Sequence, residues 1–439
     1  MRHTQGARSP AALSGTVLSR RSLFGAVAAA GAAAGLTACG SGGGSGGSSE
    51  LNVLFMKQAG YSADDIKAMT KAFEKANSGV TVHPTFVAYE ALHDKIVAAA
   101  PAGTYDVVLI DVIWPTEFAT KKMIRDVTKR FPSSWQSDIF QGALKTGEYK
   151  KHYYGVPWIL DTKYLYFNDK MLKDAGVAKD DLRTWDGVVK AAKRLKKAGV
   201  AEHPLIWSWS QAEAVICDYA TLLGAFGGRF LDEQGMPAFN TGGGLKALEF
   251  MQMTLDSGLS NPSSTQSLED DVLKVFSAGE AAIAENWTYM YNNASDPKQS
   301  QVSGDVGIAH TPAGPGGNAP GVNGSMALSI TTGTDKVDLA WKYVKSLTSK
   351  KTQEKYAQHS LPVWKSSYED PEVTKTAPAV VKVAKTQLPD MILRPQVPSY
   401  NAISQQLQVE IQKALLGKKS AKKALDDAAS AARGLLKKS

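Results

Sequence analysis

Cysteine is scarce in this sequence. Only Cys39 and Cys217 occur among 439 residues. Cys39 ends an apolar N-terminal segment, and Cys217 follows the apolar run 214–216, where a small buried hydrophobic side chain is expected. Two cysteines cannot build a disulfide framework or a four-cysteine metal site. The sequence therefore excludes both of these ways of stabilising a fold.

The chain also lacks a dominant charge of one sign. It has 50 Lys and Arg against 42 Asp and Glu, a formal charge of +8. Four of the arginines lie in the first 38 residues, which contain no acid, so 46 basic residues remain against 42 acidic ones. The lysines between 418 and 423 have the spacing of a solvated helix face. We therefore expect no nucleic-acid partner.

Signatures of common catalytic sites are missing as well. Outside the glycine- and serine-rich run 40–49, the sequence has no G-x-S-x-G, H-E-x-x-H, Walker A loop or Cys/His metal spacing, and its seven histidines are scattered. Gly42, Gly44 and Gly47 fit G-x-G-x-x-G, but no strand precedes them and no helix follows at once. We expect a protein that is not an enzyme and uses no cofactor or metal.

The body of the chain has the composition of a folded globular protein. Its residues are 43% hydrophobic and 21% charged, which is close to the average for soluble domains and permits sizeable cores. A length of 439 residues exceeds what one ordinary core organises. We therefore expect two or more lobes.

The N-terminus has the three parts of a signal peptide. Arg20 and Arg21 precede an apolar stretch that is rich in Ala and Gly and ends near Ala34, and Leu36–Cys39 follows. The stretch is too short to span a bilayer comfortably. This pattern resembles a twin-arginine export signal joined to a bacterial lipobox, although the Leu and Phe at 23–24 are in swapped order. No charged residue follows until Glu50.

The resemblance implies an exported lipoprotein. Residues 1–38 would be the signal peptide, Cys39 the lipidated residue, and 39–49 a flexible Gly/Ser tether. We expect the protein to be anchored to the outer face of the cytoplasmic membrane, with no cysteine pair left after lipidation.

Strand and helix patterns alternate in the first part of the mature chain. Strands are predicted at 51–56, 80–87 and 105–110, the last being apolar throughout, as in strands covered on both faces. Helices are predicted from an N-cap at Ser62 and over 89–100. This order indicates a mostly parallel sheet with helices on both sides, and such sheets bind ligands at the carboxyl ends of their strands.

A second group of elements begins near Tyr164. Residues 165–167 have strand character, and helices are predicted over 185–198 and 244–256. The C-terminal stretch is helical, and Ser420 is predicted to cap the last helix.

From about Asp106 onward the chain resembles the solute-binding proteins of carbohydrate ABC importers, the group that includes maltose- and trehalose-binding proteins. The resemblance covers most of the mature chain and rests on segments that follow one another in the family's order. These segments are Asp111–Ala119, Tyr154–Leu172, Ala175–Val177, Thr184–Asp186, Phe276–Ala282, Asn286–Trp287, Pro312–Gly317, Arg394–Pro395 and Pro398–Tyr400.

The resemblance implies an α/β fold of the periplasmic-binding-protein type. Two lobes, each a mostly parallel sheet flanked by helices, would be joined by a hinge that the chain crosses several times and would close around the ligand. The implied crossings lie near 158–162, 325–330 and 362–366. The implied lobes are 50–158 plus about 328–362 for the N-terminal lobe, and about 162–325 plus 366–439 for the C-terminal lobe.

A sugar pocket needs carboxylates and amides for hydroxyl groups, and aromatic rings for the apolar C–H faces. At the family's cleft positions, Asp111 and Asp161 are the implied carboxylates, with a helix cap or turn as the alternative. Trp287 is the implied stacking ring, with a core position as the alternative. Its neighbours Glu285 and Asn286 would form a polar rim.

Further candidates carry open alternatives. Trp114 faces either the cleft or the core, while Gly324 and Ser325 would let the backbone approach a ligand. Arg394 either clamps hydroxyl groups or pairs with a carboxylate. The remaining candidates are Trp207 and Trp209, for which core packing is favoured, and Glu90 and Lys57, which follow early strands.

The implied function is capture of a small oligosaccharide and its delivery to the permease of an ABC importer by a monomeric lipoprotein. An α-linked glucose disaccharide, trehalose or maltose, is the ligand that the resemblance favours. One alternative is a glycerophosphodiester or peptide ligand; the phosphate of the first would call for clustered arginines or a helix N-terminus. Another is a glycoside hydrolase, which also uses two carboxylates.

Overall fold

A computed structural model describes residues 49–57 and 60–438. The predicted signal peptide, Cys39 and the tether as far as residue 48 lie outside the described residues, so they stay predictions. Along the described ranges, no helix is both long enough and apolar enough to cross a membrane.

Strands and helices alternate along the chain. The strands are β1 (Glu50–Met56), β2 (Thr81–Val87), β3 (Val107–Asp111), β4 (Glu148–Tyr149), β5 (His152–Tyr153), β6 (Val156–Ile159), β7 (Lys163–Asn168), β8 (Leu205–Ile206), β9 (Ile283–Trp287), β10 (Val306–Ala309), β11 (Gly321–Val322), β12 (Met326–Ile330) and β13 (Met391–Ile392). The α-helices are α1 (Ala63–Ala76), α2 (Tyr89–Ala99), α3 (Pro115–Thr120), α4 (Ser133–Asp138), α5 (Gln141–Leu144), α6 (Asp169–Asp174), α7 (Trp185–Lys197), α8 (Glu213–Ala225), α9 (Gly242–Asp256), α10 (Glu269–Ser277), α11 (Tyr289–Ser295), α12 (Val337–Leu347), α13 (Lys350–Lys355), α14 (Pro371–Thr376), α15 (Pro378–Gln387), α16 (Tyr400–Leu415) and α17 (Ala421–Leu436). Short 3₁₀ helices span Ala100–Ala102, Thr128–Arg130, Lys179–Arg183, Pro262–Gln266 and Lys365–Glu369.

A five-stranded sheet organises the first part of the chain, in the order β2-β1-β3-β12-β6. Strand β1 runs parallel to both β2 and β3, whereas β12 runs antiparallel to β3 and β6. Every residue of β3 is buried, because the central strand of such a sheet is covered on both faces. The apolar run predicted to be a fully covered strand is therefore confirmed.

A four-stranded sheet organises the second group of elements, in the order β10-β7-β9-β8. Strand β7 runs antiparallel to β10 and β9, whereas β8 and β9 are parallel. The predicted α/β class is confirmed, but each sheet is mixed because one strand runs against the rest. Each reversed strand, β7 or β12, is the first that the chain adds to its sheet after it leaves the other one.

Local signals predicted the helix starts well. The Ser62 side chain accepts a hydrogen bond from the backbone of Asp65, whose carboxylate bonds back to the Ser62 backbone, so α1 begins with a capping box. At the other end of the chain, Ser420 accepts from the backbone of Lys423 and starts α17. Both predicted caps are confirmed.

The two sheets are joined by short crossings. Strand β6 ends at Ile159 in one sheet and β7 begins at Lys163 in the other, so the chain crosses over 160–162. Residues 160 and 162 form bridges to Leu361 and Asn323. The buried side chains form two hydrophobic cores. The first surrounds the five-stranded sheet and includes Tyr164 and Tyr166 from one face of β7, whereas the second includes Leu165 and Phe167 from the other face. The segment 368–388 contributes to the first core, and 403–432 to the second. The predicted lobe boundaries remain a prediction.

Candidate ligand-binding site

A cavity of about 290 Å³ lies where strands of the five-stranded sheet end. Met56, Asp111 and Ile159 are the last residues of β1, β3 and β6, and Met326 is the first residue of the reversed strand β12. All four line the cavity. Because β12 runs in the opposite direction, its start lies at the same sheet edge as the carboxyl ends of the other three. Ligands bind at this edge in open α/β sheets.

The four-stranded sheet and its helices form the facing wall. Trp287 is the last residue of β9, and Glu213 and Glu269 are the first residues of α8 and α10. The remaining wall residues are Ala214, Cys217, Leu268, Asp270, Asp271, Lys274 and Tyr289. Elements of both sheets therefore enclose the cavity.

Asp111 is held by two side chains. Nη2 of Arg394 donates to both of its carboxylate oxygens, at 3.0 and 3.2 Å, and the Tyr89 hydroxyl donates to Oδ2 at 2.5 Å. Nη1 of Arg394 donates to Glu213 at 2.8 Å. One guanidinium thus connects the end of β3 with the start of α8. The sequence allows Arg394 either to clamp hydroxyl groups or to pair with a carboxylate, and the structure shows it paired with two carboxylates. Arg394 is also one of the residues that line the cavity.

The Arg394 guanidinium is almost completely buried, with 1% of its side chain exposed. Burial by itself lowers the pKa of an arginine, but the carboxylates of Asp111 and Glu213 outweigh burial and raise the pKa of Arg394 above its usual value. The group is therefore a permanent cation in the cavity wall.

Asp161 is buried at the end of the β6 segment. Its Oδ1 accepts hydrogen bonds from the Thr288 backbone at 3.1 Å, from the Thr288 hydroxyl, and from the Thr162 backbone at 2.9 Å. Burial raises the pKa of Asp161 to about 6, against these hydrogen bonds, which lower it. Asp161 is also one of the residues that line the cavity.

The Trp287 ring is half-buried and contacts groups on several sides. Its Nε1 donates to Glu269 at 3.1 Å, and the Lys163 ammonium lies 5.1 Å from the ring centre. Gly324 approaches so closely that a Cβ there would lie 2.4 Å from Cζ3 of the ring. Trp287 and Gly324 both line the cavity, so the close backbone approach that the structure shows at Gly324 is to the ring. Their contact with a ligand stays a prediction.

The match to a family model decides the class of the protein. Residues 59–354 match the bacterial extracellular solute-binding proteins. The chain belongs to this family.

Relatives and solved structures agree with this assignment. A putative binding protein of Brucella abortus (strain 2308) is 24% identical to this solute-binding protein over 397 residues, which cover 89% of this chain and 95% of the relative. The structure of maltose-bound T. maritima MalE3 is 26% identical, with a TM-score of 0.82, and covers 88% of this chain and 100% of its own. A solute-binding protein of Thermotoga lettingae TMO, with bound α-D-tagatose, is 26% identical, with a TM-score of 0.79 and coverage of 88% and 99%. The two-lobed, α/β fold expected from the sequence is confirmed.

Four of the predicted site residues of this solute-binding protein do not line the cavity. Trp114 is buried in the first core, where its ring stacks on Tyr89 at 5.9 Å. Its alternative position, the core, is the one that the structure shows, because the turn after β3 directs the ring away from the cavity and towards α2.

The other three lie behind the cavity wall. Glu285 is fully buried within β9, and burial raises the pKa of its carboxyl group well above the usual range. The Asn286 side chain accepts from the Trp287 backbone and donates to the Glu269 carbonyl, and the Ser325 hydroxyl accepts from the Asp161 backbone. The polar atoms of these three residues face the protein interior, on the far side of the residues that line the cavity. Glu285 and Asn286 therefore do not form the predicted polar rim.

The weaker candidates are divided. Trp207 and Trp209 are buried and stacked at 5.1 Å, which confirms core packing. Glu90 lines the cavity, whereas Lys57 lines a neighbouring one of about 530 Å³. Cys217 is buried, as expected, but also reaches the cavity wall.

Sequence reasoning missed Glu213, Glu269 and Tyr89, which respectively begin α8, α10 and α2. Acidic residues are favoured in the first turn of a helix, so a search for helix starts could have found the two glutamates.

The cavity of this solute-binding protein is strongly acidic. Seven carboxylates line it, against the two cations Lys274 and Arg394; the carboxylates are Glu90, Asp111, Asp161, Glu213, Glu269, Asp270 and Asp271. This excess of negative charge repels anionic ligands. Within residues 49–57 and 60–438, no group of three or more His, Cys, Asp or Glu side chains is arranged to hold a metal ion.

Proposed function

We propose that this protein is the substrate-binding component of an ABC importer and that its cavity holds an uncharged sugar or polyol. The observation that carries the proposal is the placement of the Trp287 ring in one cavity with Asp111, Asp161 and Arg394. A small oligosaccharide is the class of ligand that we favour, with maltose or trehalose as the specific candidates.

The chemistry of the cavity supports this choice. A sugar has an apolar C–H face that stacks on an indole ring, and hydroxyl groups that bond to carboxylates and guanidinium groups. A cavity of about 290 Å³ lies near the lower end of the range for small-molecule sites, which suits a mono- or disaccharide more than a long chain. The related structures with bound maltose and α-D-tagatose hold ligands of this class.

The alternatives have less support. A glycerophosphodiester would bring a negative charge among seven carboxylates, with Arg394 already bonded to Asp111 and Glu213. A glycoside hydrolase would also use two carboxyl groups, but the matching family and the related proteins are described as binding proteins, which supports binding over cleavage. We therefore infer that the cavity binds its sugar without cleaving it.

The proposal includes export and anchoring through Cys39, delivery to a permease, and a monomeric state. Attachment of a lipid to Cys39 is tested by metabolic labelling with a radioactive fatty acid. The label should be present in the natural sequence and absent from Cys39→Ala. Equal labelling of both would exclude Cys39 as the anchor.

Ligand class is tested by thermal unfolding with maltose, trehalose, mannitol and glycerol 3-phosphate. A ligand at 100 times its Kd stabilises a protein by about 2.7 kcal/mol, so a bound sugar raises the Tm measurably. We expect a shift with maltose or trehalose and none with the phosphate. A shift with the phosphate alone, or maltose cleaved to glucose on overnight incubation, would contradict the proposal.

The site is tested by Trp287→Ala, with Trp341→Ala as the matched control. Trp341 is also half-buried, but it lies on α12 and stacks on Trp135 in the first core. We expect the sugar-induced shift to disappear in Trp287→Ala and to persist in the control. A persistent shift in Trp287→Ala would place the sugar elsewhere.

A further inference from the structure

A buried lysine lies directly beside the ring of Trp287. Lys163 opens β7 and is paired with Trp287 across the antiparallel ladder to β9. Directly opposed side chains project from the same face of a sheet. The Lys163 ammonium accordingly lies 5.1 Å from the centre of the indole ring, within the range of a cation–π contact.

Lys163 is held in place by groups on α8 and on the segment before it. Its Nζ donates to the Ser208 hydroxyl at 2.8 Å and forms an ion pair with Asp218. The other carboxylate oxygen of Asp218 accepts from the Ser208 backbone at 3.0 Å and from its hydroxyl at 3.1 Å. The side chains of Lys163 and Asp218 are both fully buried.

The same ammonium also approaches the group that fixes the edge of the indole. Oε1 of Glu269 lies 4.0 Å from the Lys163 ammonium and accepts the Trp287 Nε1 hydrogen at 3.1 Å. The ring is thus restrained by a cation at its face and by a carboxylate at its edge, and the two restraining groups attract one another.

A fully buried ion pair is costly to desolvate, and well-packed apolar residues in its place are often equally stable or more stable. The Lys163 pair therefore adds little to stability that packing could not supply. The pair lies next to the Trp287 ring, which lines the cavity, and it fixes the orientation of that ring. Lys163 itself is absent from the cavity wall.

We propose that Lys163, held by Asp218, is a positioning residue that fixes the Trp287 ring in the orientation needed to stack on the sugar. This inference rests on the proposed function, because it assigns to Trp287 the role of the stacking ring. A preorganised ring does not have to be ordered when the ligand binds. Loss of this preorganisation therefore lowers the affinity without removing a ligand contact.

The test replaces the pair by Lys163→Met with Asp218→Asn, which removes both charges of the fully buried pair together. The control is Lys336→Met with Asp106→Asn, which removes a partly buried ion pair of 3.1 Å at the opposite edge of the other sheet. Maltose and trehalose affinities are measured by calorimetry for the unaltered protein and both variants. We expect the Lys163 variant to bind about tenfold more weakly and the control to bind within twofold of the unaltered protein.

The orientation of the ring is measured directly by ¹⁹F NMR of protein labelled with 5-fluorotryptophan. The chain has nine tryptophans, and the Trp287 resonance is assigned by its loss in Trp287→Phe. In sugar-free protein we expect this resonance to shift or broaden in the Lys163 variant and to stay unchanged in the control. The single variant Lys163→Arg retains Asp218 and keeps a cation beside the ring. We expect it to bind the sugar more tightly than the double variant does.

The outcomes separate the two proposals. Failure of both maltose and trehalose to bind the unaltered protein contradicts the proposed disaccharide ligand, while the ¹⁹F measurement still tests the role of Lys163. Binding of the sugar to the unaltered protein but not to Trp287→Ala supports the proposed function. If the Lys163 variant then keeps full affinity and an unchanged Trp287 resonance, the positioning role is excluded and the proposed function stands.

Discussion

Nη2 of Arg394 lies 3.0 Å from Oδ1 of Asp111, although the two residues are 283 positions apart in the chain. Asp111 ends a strand of the five-stranded sheet, whereas Arg394 follows the short strand β13 and also bonds to Glu213 at the start of α8. A single side chain therefore ties together three distant segments at the cavity. Both groups are buried, so neither exchanges its partner for water.

Arg394→Met is expected to destabilise the protein strongly. It leaves the carboxylates of Asp111 and Glu213 in a buried site without their cation, and breaking such a pair costs about 3 to 5 kcal/mol. Urea unfolding measures the change in the free energy of unfolding. As a control, Arg130→Met removes an exposed pair with Asp338 and should cost about 1 kcal/mol or less. Equal losses in the two variants would contradict the importance of the buried pair.

Gly324→Ala is expected to weaken sugar binding without unfolding the protein. The added Cβ would lie 2.4 Å from Cζ3 of Trp287, a distance that forces the ring to move. A displaced stacking ring should lower the affinity for the sugar about tenfold, measured by calorimetry. Gly304→Ala is the control, because a Cβ at Gly304 meets nothing within 4 Å. Full affinity in Gly324→Ala would show that the ring position does not matter.

Asp161 is expected to make stability depend on pH between about 4 and 7. Its pKa in the folded protein is raised to about 6 from an ordinary 3.8, so the folded state holds the proton more tightly than the unfolded state does. Protonation therefore favours folding, and the contribution of Asp161 to stability falls as the pH rises through this range.

Asp161→Asn removes this dependence while it keeps an acceptor oxygen for the backbone hydrogen of Thr288. The free energy of unfolding of the variant, relative to the unaltered protein, should increase by about 2 kcal/mol between pH 4 and pH 7. Urea unfolding of both sugar-free proteins at several pH values measures the difference. A difference that stays constant with pH would mean that Asp161 ionises normally.

The sequence predicted the elements where local rules decide the structure. Ser62 and Ser420 cap helices because their hydroxyls bond to backbone groups only three residues away. The apolar run that became β3 predicted a fully covered strand, and with it the location of Asp111 at the sheet edge where the cavity lies. For Asp161 and Trp287, it was the resemblance to a family that supplied a position and a role.

Where the sequence was misleading, the decision depended on the direction of a side chain. Trp114, Glu285, Asn286 and Ser325 are close in the chain to residues that line the cavity, yet their side chains point into the protein interior. Neighbouring residues of a strand or turn project in different directions, so proximity in sequence gives no information about which of them meets the cavity.

The sequence by itself determined the alternation of strands and helices, the helix caps and the membership of the chain in a class of binding proteins, because periodicity, capping and motif order are local properties. Only the tertiary structure decided that Arg394 connects Asp111 to Glu213 and that Lys163 lies behind Trp287. These contacts join segments far apart in the chain. They exist because the two sheets bring distant residues to one edge, and no local pattern specifies that arrangement.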